Sequence, residues 1–295
     1  MPYSYYPGCS LHSTGTAYDK SVRAVFHALG EDLIELEDWN CCGATIYMSN
    51  QETVALAISA RNLALAEKLG HDLVVPCSAC FTVLNKTRRF MEEMPTLRAQ
   101  VNEALSVANL HPEYSVRVRH PLEVLINDFG VERLAQAARR TLEGFKLACY
   151  YGCQILRPER AVGDDPEVPM VLDRLMEAFG AHTVDFPAKT RCCGGMLITT
   201  FRKVALDLIG EILEWAVRGG ANAIVTVCPL CQINLELYQD RLGPRTAEKV
   251  RLPVLFFTQL VGLALGCSPE EVGLEHQVVR VPPEYVTPVE VGNHD

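Results

Sequence analysis

The sequence has no apolar run long enough to cross a bilayer. Its longest candidate, Leu252 to Gly266, is broken by Pro253 and Gln259 and falls short of the ~20 residues a spanning helix needs. A buried strand followed by a helix explains that stretch better. Basic residues are outnumbered, 27 Lys and Arg against 36 Asp and Glu, for a net charge of −9. Phosphate backbones require clustered basic excess, so no nucleic-acid partner is expected. The start, Met1-Pro2-Tyr3-Ser4-Tyr5-Tyr6, has neither the basic residues nor the apolar core of a secretory leader, and a cytoplasmic location is expected. No G-x-G-x-x-G, Walker or G-x-S-x-G motif occurs, and the eight histidines form no H-E-x-x-H. Dinucleotide, P-loop, serine-nucleophile and zincin readings lose their support. His12 and His120 are read as structural. The ferredoxin run C-x2-C-x2-C-x3-C-P is also missing, so the chain carries no built-in relay of cubane clusters.

Cysteine is abundant instead, 12 in 295 residues. Apolar residues at 48% and charged residues at 21% describe an ordinary globular chain, long enough for two moderate domains without disulfide staples. In a reducing compartment structural disulfides are rare. Metal binding or redox chemistry is therefore the leading reading of the cysteines.

Their order reveals a duplication. Tyr5-Tyr6-Pro7-Gly8-Cys9 is echoed by Tyr150-Tyr151-Gly152-Cys153, Cys41-Cys42-Gly43 by Cys192-Cys193-Gly194, and Cys77-Ser78-Ala79-Cys80 by Cys228-Pro229-Leu230-Cys231. From the double cysteine onward the offset is a constant 151 residues. Gly30 and Gly70 have counterparts in Gly180 and Gly220.

Each unit alternates short strands with helices. In the first, strands are expected at Tyr3–Tyr6, Leu33–Leu36 and Leu73–Val75. A helix is expected over Thr16–Leu29, capped by Ser13 or Thr14 and closed by Gly30. Another spans Val54–Leu69 behind a capping box at Ser49–Glu52, and a third covers Phe81–Met94, stopped by Pro95. This pattern predicts an α/β fold of two duplicated units, each a short parallel sheet flanked by helices, related by a pseudo-twofold axis. Boundaries are expected at 1–144 for the first domain with a helical linker, 145–267 for the second, and 268–295 for an acidic tail. Strand-like Tyr114–Val118 and helical Leu122–Phe129 fall inside the linker. Cys9, Cys41-Cys42 and Cys77 follow strands closely, and carboxyl strand ends share one edge of a parallel sheet, where ligands bind. Cys80 falls in the first helical turn, where the dipole favours a thiolate.

The patterns are C-x31-CC-x34-C-x2-C and C-x38-CC-x34-C-x2-C. A zinc site takes four tetrahedral ligands, whereas adjacent cysteines tend to point apart and suit different irons of one cluster. Iron–sulfur ligation is preferred, with zinc in one of the two units as the alternative. A thioredoxin-type pair at Cys228 and Cys231 would leave the double cysteines and the repeat unexplained. Cys149 and Cys267 lie outside the repeat and read as buried apolar residues.

Two copies of this pattern, with Tyr5-Tyr6-Pro7-Gly8-Cys9-Ser10, Trp39-Asn40-Cys41-Cys42-Gly43-Ala44 and Pro76-Cys77-Ser78-Ala79-Cys80, resemble the paired CCG domains of the heterodisulfide reductase B subunit. The resemblance covers residues 1 to about 267; the spacing after each double cysteine is slightly tighter than the family's, a loop variation. It implies two noncubane 4Fe-4S clusters, one on Cys9, Cys41, Cys42, Cys77 and Cys80, the other on Cys153, Cys192, Cys193, Cys228 and Cys231. It further implies an oxidoreductase subunit that reduces a mixed disulfide of the coenzyme M–coenzyme B type. Its partners would be a C subunit with 4Fe-4S clusters and a flavin-containing A subunit. Two one-electron centres facing one S–S bond suit a two-electron cleavage. Basic residues near the cysteines, Arg157, Arg191, Arg202 and Lys203, are candidates for anionic substrate groups, with solvated helix-face charges as the alternative. Two other roles stay open: an electron-transfer subunit of a succinate- or glycolate-type dehydrogenase, and a sulfur-oxidising complex of similar chemistry.

Overall fold

Short strand-forming stretches, each followed by a helix-forming run, build two parallel sheets. The computed structural model describes residues 2–44, 47–156, 163–242 and 251–286. Tyr3–Tyr5 (β1), Leu33–Glu35 (β2), Leu73–Val74 (β3) and Val118–Arg119 (β4) form the first sheet, in the order β2-β1-β3-β4. Lys146–Tyr150 (β5), His182–Thr183 (β6), Ala223–Thr226 (β7) and Val254–Phe256 (β8) form the second, in the order β6-β5-β7-β8. Every strand pair is parallel. The architecture is the duplicated α/β arrangement that the repeat predicts. The fourth strand of the first sheet, β4, lies in the segment read as a linker.

The longer helices are Thr16–Ala28 (α1), Glu52–Leu69 (α2), Ser78–Glu93 (α3), Pro95–Ser106 (α4), Val171–Ala178 (α5), Arg202–Arg218 (α6), Pro229–Leu237 (α7) and Phe257–Ala264 (α8). Three sequence expectations shift. The residue capping α1 is Gly15, because the Ser13 hydroxyl instead donates to the Cys9 carbonyl at 2.9 Å. The capping box before α2 does not form, since Ser49 and Asn50 belong to a separate short helix, Tyr47–Asn50, and Gln51 makes no side-chain cap. Pro95 opens α4 rather than merely ending α3; the first helical position needs no N–H, so proline fits there. Gly70 closes α2 in the left-handed conformation, φ 69°.

The second sheet divides its side chains by strand periodicity. Leu147, Cys149, Val225 and Leu255 join a core that includes Tyr5, Phe26, Val74 and Phe81 of the first unit. Their neighbours Ala148, Tyr150, Ile224 and Val254 face a second core with Phe186, Ile209 and Leu213. One apolar core thus runs through both units. Tyr18 on α1 stacks on Phe256 with ring centroids 4.2 Å apart, and the Ser21 and Thr258 hydroxyls of α1 and α8 lie 2.6 Å apart.

At the end of β4, buried Arg119 donates to Glu123 at 2.9 Å and to both oxygens of Asp128 at 2.6 and 2.8 Å, with Asp72 at 3.2 Å. The described part of the tail runs along the body. Lys20 pairs with Glu275 at 2.6 Å, the amides of Val278 and Val279 point at buried Glu236, and Tyr285 packs on Phe145.

Candidate metal centre

The sheet order decides where the cysteines gather. With β1 flanked by β2 and β3, the chain reverses its winding direction between β1 and β3, and in such sheets a crevice opens at the carboxyl ends of that pair. Cys9 follows β1 and Cys77 follows β3; in the second sheet Cys153 follows β5 and Cys228 follows β7. Cys77 and Cys228 sit at the N-caps of α3 and α7, beside the unpaired amides and positive dipole of a helix start.

All twelve cysteines are free thiols. In the first unit the thiols perturb one another in a chain, Cys9 with Cys41, Cys41 with Cys42, Cys42 with Cys80 and Cys80 with Cys77. In the second, Cys153 neighbours Cys192, and Cys193 neighbours Cys231, which neighbours Cys228. The Cys193 and Cys231 sulfurs lie 3.4 Å apart. Each set runs from buried sulfurs to an exposed one, Cys9 or Cys192. Across the two units, Cys77 and Cys228 are neighbours, each perturbing the other's thiol.

Two features missed in the sequence shape both sets alike. Gly8 and Gly152 each adopt φ +70°, and a Cβ there would lie 3.2 Å from the Cys80 sulfur or 3.3 Å from that of Cys231. These positions need glycine for both conformation and space. The Tyr6 hydroxyl donates to the Asn40 carbonyl at 2.8 Å, and Tyr150 to that of Arg191 at 2.6 Å. In both units a buried tyrosine holds the residue before the double cysteine. The repeated Tyr-x-Gly-Cys segments carried this signal, since each places a tyrosine three residues and a glycine one residue before its cysteine. Amide side chains add support: Asn62 donates to the Asn40 carbonyl at 2.9 Å, and Asn234 to the Gly195 carbonyl at 2.9 Å.

The donor set fits a polynuclear centre. Hydrogen bonds from Cys42 and Cys9 hold Cys41 below the ordinary thiol range, and those from Cys231 and Cys77 do the same for Cys228. Hydrogen bonding to Cys42 and Cys77, followed by burial, pushes Cys80 up; burial and the neighbouring Cys192 push Cys153 up to about 12. Thiols this close cannot ionise together without a cation among them. A cluster of irons supplies that charge and takes sulfurs from several directions. Among the described residues no three ligand-type side chains are placed to hold a metal ion; the five cysteines of each unit exceed the four ligands that one tetrahedral ion takes.

The other sequence candidates separate. Arg157 lies outside the described residues. Arg191 is exposed and 3.7 Å from Glu211. Arg202 is exposed and, with Arg241, Ile198, Leu237 and Tyr238, lines a depression of about 340 Å³; Lys203 is exposed beside it. Cys149 is buried on β5, and Cys267 is half-buried. His12 packs against Trp39 and lies 3.4 Å from Glu35. His120 is buried between the units, where burial pushes its ring down to about 4.

Paired sets of five cysteines on a duplicated parallel α/β fold mark a protein of the cysteine-rich CCG class, and the CCG cysteine-rich domain family matches residues 3–85 and 147–236. The chain is 34% identical to the 8-methylmenaquinol:fumarate reductase membrane anchor subunit of Wolinella succinogenes, over 94% of this chain and 96% of that one. It is 34% identical to a protein of Archaeoglobus profundus that resembles the heterodisulfide reductase B subunit, over 92% of this chain and 93% of the other. With the B subunit of the ferredoxin:CoB-CoM heterodisulfide reductase of Methanosarcina mazei it shares 29% identity over 94% and 93%. The chain belongs to the family of the heterodisulfide reductase B subunit. A hypothetical protein from Helicobacter pylori has the same fold, with a TM-score of 0.78 at 16% identity; the match covers 95% of this chain and 52% of that one. No described helix is long and apolar enough to cross a membrane.

Proposed function

We propose that the chain is the catalytic iron–sulfur subunit of a heterodisulfide reductase-type complex, an oxidoreductase acting on a sulfur group in the cytoplasm. The observation that carries this reading is the completeness of both thiol sets, five free cysteines in each of the two duplicated units. Cys9, Cys41, Cys42, Cys77 and Cys80 would hold one noncubane 4Fe-4S cluster, and Cys153, Cys192, Cys193, Cys228 and Cys231 the other. Each cluster would supply one electron, so that one disulfide plus two electrons and two protons gives two thiols. The chain carries no ferredoxin run, so the electrons would come from partner subunits, which the family resemblance makes of iron–sulfur and flavin type. Residues 1–144 and 145–267 form the two CCG domains in this reading, with 268–295 as the acidic tail.

The chain's own residues confine the chemistry. Gly8 and Gly152 let backbone approach the inner sulfurs, and Tyr6 and Tyr150 hold the double-cysteine loops. Exposed Arg191, Arg202 and Lys203 would meet anionic groups of a small-molecule disulfide.

The Wolinella relative favours a second reading, an electron-transfer subunit that serves a quinol-linked dehydrogenase or reductase. Anaerobic purification with iron, sulfide and zinc counts separates the two. About eight irons per chain, four for each 4Fe-4S cluster, is expected; about four irons plus one zinc would move the assignment to the second reading. Cys42→Ser and Cys193→Ser should each remove one cluster's EPR signal, and full iron content with unchanged spectra would refute the ligand sets. Turnover of the coenzyme M–coenzyme B disulfide against other disulfides identifies the substrate.

A further inference from the structure

One buried histidine lies between the two thiol sets and belongs to neither. His120 follows β4 and is fully buried. Its Nδ1 accepts the Leu122 N–H at 3.1 Å, which places the ring proton on Nε2. Nε2 faces two carbonyls at once, Pro76 at 2.9 Å and Val227 at 3.2 Å. Pro76 precedes Cys77 and Val227 precedes Cys228, and the two positions are related by the 151-residue offset of the duplication. A single N–H therefore spans equivalent positions of both units, each one residue before a cysteine, Cys77 or Cys228. The ring is fixed from both sides, with Phe81 of the first unit at 5.8 Å and Phe257 beyond the second sheet at 6.1 Å between centroids. Val227 has further donors from the first unit, the Tyr18 and Ser78 hydroxyls, each at 3.2 Å.

We propose that His120 is the shared positioning residue of the two centres: its Nε2–H ties the Pro76–Cys77 and Val227–Cys228 loops together and so sets how Cys77 and Cys228 face each other. Pro76 and Val227 lead directly into the N-cap cysteines of α3 and α7, so a donor common to both carbonyls constrains the backbone that carries both thiols. The repeat cannot supply such a residue twice, since one ring occupies the position between the units. This inference rests on the reading that both sets hold clusters, but its test does not depend on activity.

The variants are His120→Leu, similar in size without a donor, and His120→Gln, which keeps an N–H donor at comparable reach. Two properties are measured: the magnetic interaction between the centres by EPR at matched iron content, and hydrogen exchange of the peptides spanning 76–80 and 227–231. The Leu variant is expected to keep its iron, to change the inter-centre splitting, and to exchange about five- to tenfold faster in both peptides, the scale of one lost hydrogen bond. The Gln variant restores both properties toward wild type. Wild-type splitting and exchange in the Leu variant would overturn the proposal. A wild-type protein without iron would refute the cluster reading instead, and the exchange data would still decide the role of His120. If the Leu variant does not fold, His120→Asn, which keeps a donor but not the reach, is compared with His120→Gln; equal exchange in those two overturns the proposal.

Discussion

Replacing Gly8 with alanine tests whether the crevice is as crowded as its geometry indicates. Two penalties add at this position. The left-handed backbone, φ +70°, costs a residue with a Cβ roughly 1–2 kcal/mol. The new Cβ would also lie 3.2 Å from the Cys80 sulfur and 3.2 Å from Cε1 of Tyr6. Those distances are several tenths of an ångström inside ordinary contact, and overpacking of this kind costs about 1–3 kcal/mol. Gly70 provides the control. It has φ +69° and nothing within 4 Å of the corresponding Cβ position, so Gly70→Ala carries the backbone penalty alone. Denaturant unfolding under anaerobic conditions, with iron counted in each folded sample, separates the terms. Gly70→Ala should lose about 1–2 kcal/mol and keep its iron. Gly8→Ala should lose about 1–3 kcal/mol more and give up iron, because either the Tyr6 ring or the Cys80 sulfur must move. Equal losses in the two variants, with full iron in both, would refute the crowding argument.

Arg119→Met leaves Glu123, Asp128 and Asp72 facing one another without their buried guanidinium. A loss of ~3 kcal/mol is expected in unfolding free energy, with β4 the first element to exchange. Arg119 also holds the Asp128 carboxyl below its usual range, stabilising the fold above the unfolded carboxylate pKa; that part is lost as pH falls through the lower folded value. His120 adds a separate acid dependence. Burial lowers it from 6.5 to about 4, so its contribution is complete above pH 6.5 and is lost as pH falls toward 4. The slope is about 1.4 kcal/mol per pH unit; His120→Gln should flatten stability over that window, and an unchanged slope would refute the assignment. Tyr150→Phe removes the donor to the Arg191 carbonyl and should cost ~1 kcal/mol, with the second unit's spectroscopic signal altered and the first unit's intact.

Much of the fold was legible along the chain because its determinants are local. Alternation of short strands with helices, and glycines such as Gly30 and Gly70, mark where elements begin and end. The constant offset of the cysteine groups shows the duplication without any structure. Caps were less legible. Ser13 and Ser49 are good capping residues by type, yet Ser13 bonds to Cys9 and Ser49 joins a different helix, since a side chain takes whichever backbone partner the folded chain offers.

The sequence by itself determined the α/β class, the two units, and the grouping of the cysteines at strand ends, for all of these follow from periodicity and spacing over a few dozen residues. Tertiary structure alone decided that the loops before Cys77 and Cys228 share His120, that one core runs through both units, and that Tyr6 and Tyr150 hold the double-cysteine loops. His120 makes the reason plain: the carbonyls it joins are 44 and 107 residues away. No local pattern reports such a contact, because it exists only once two sheets pack face to core and bring the ends of β3 and β7 to one place.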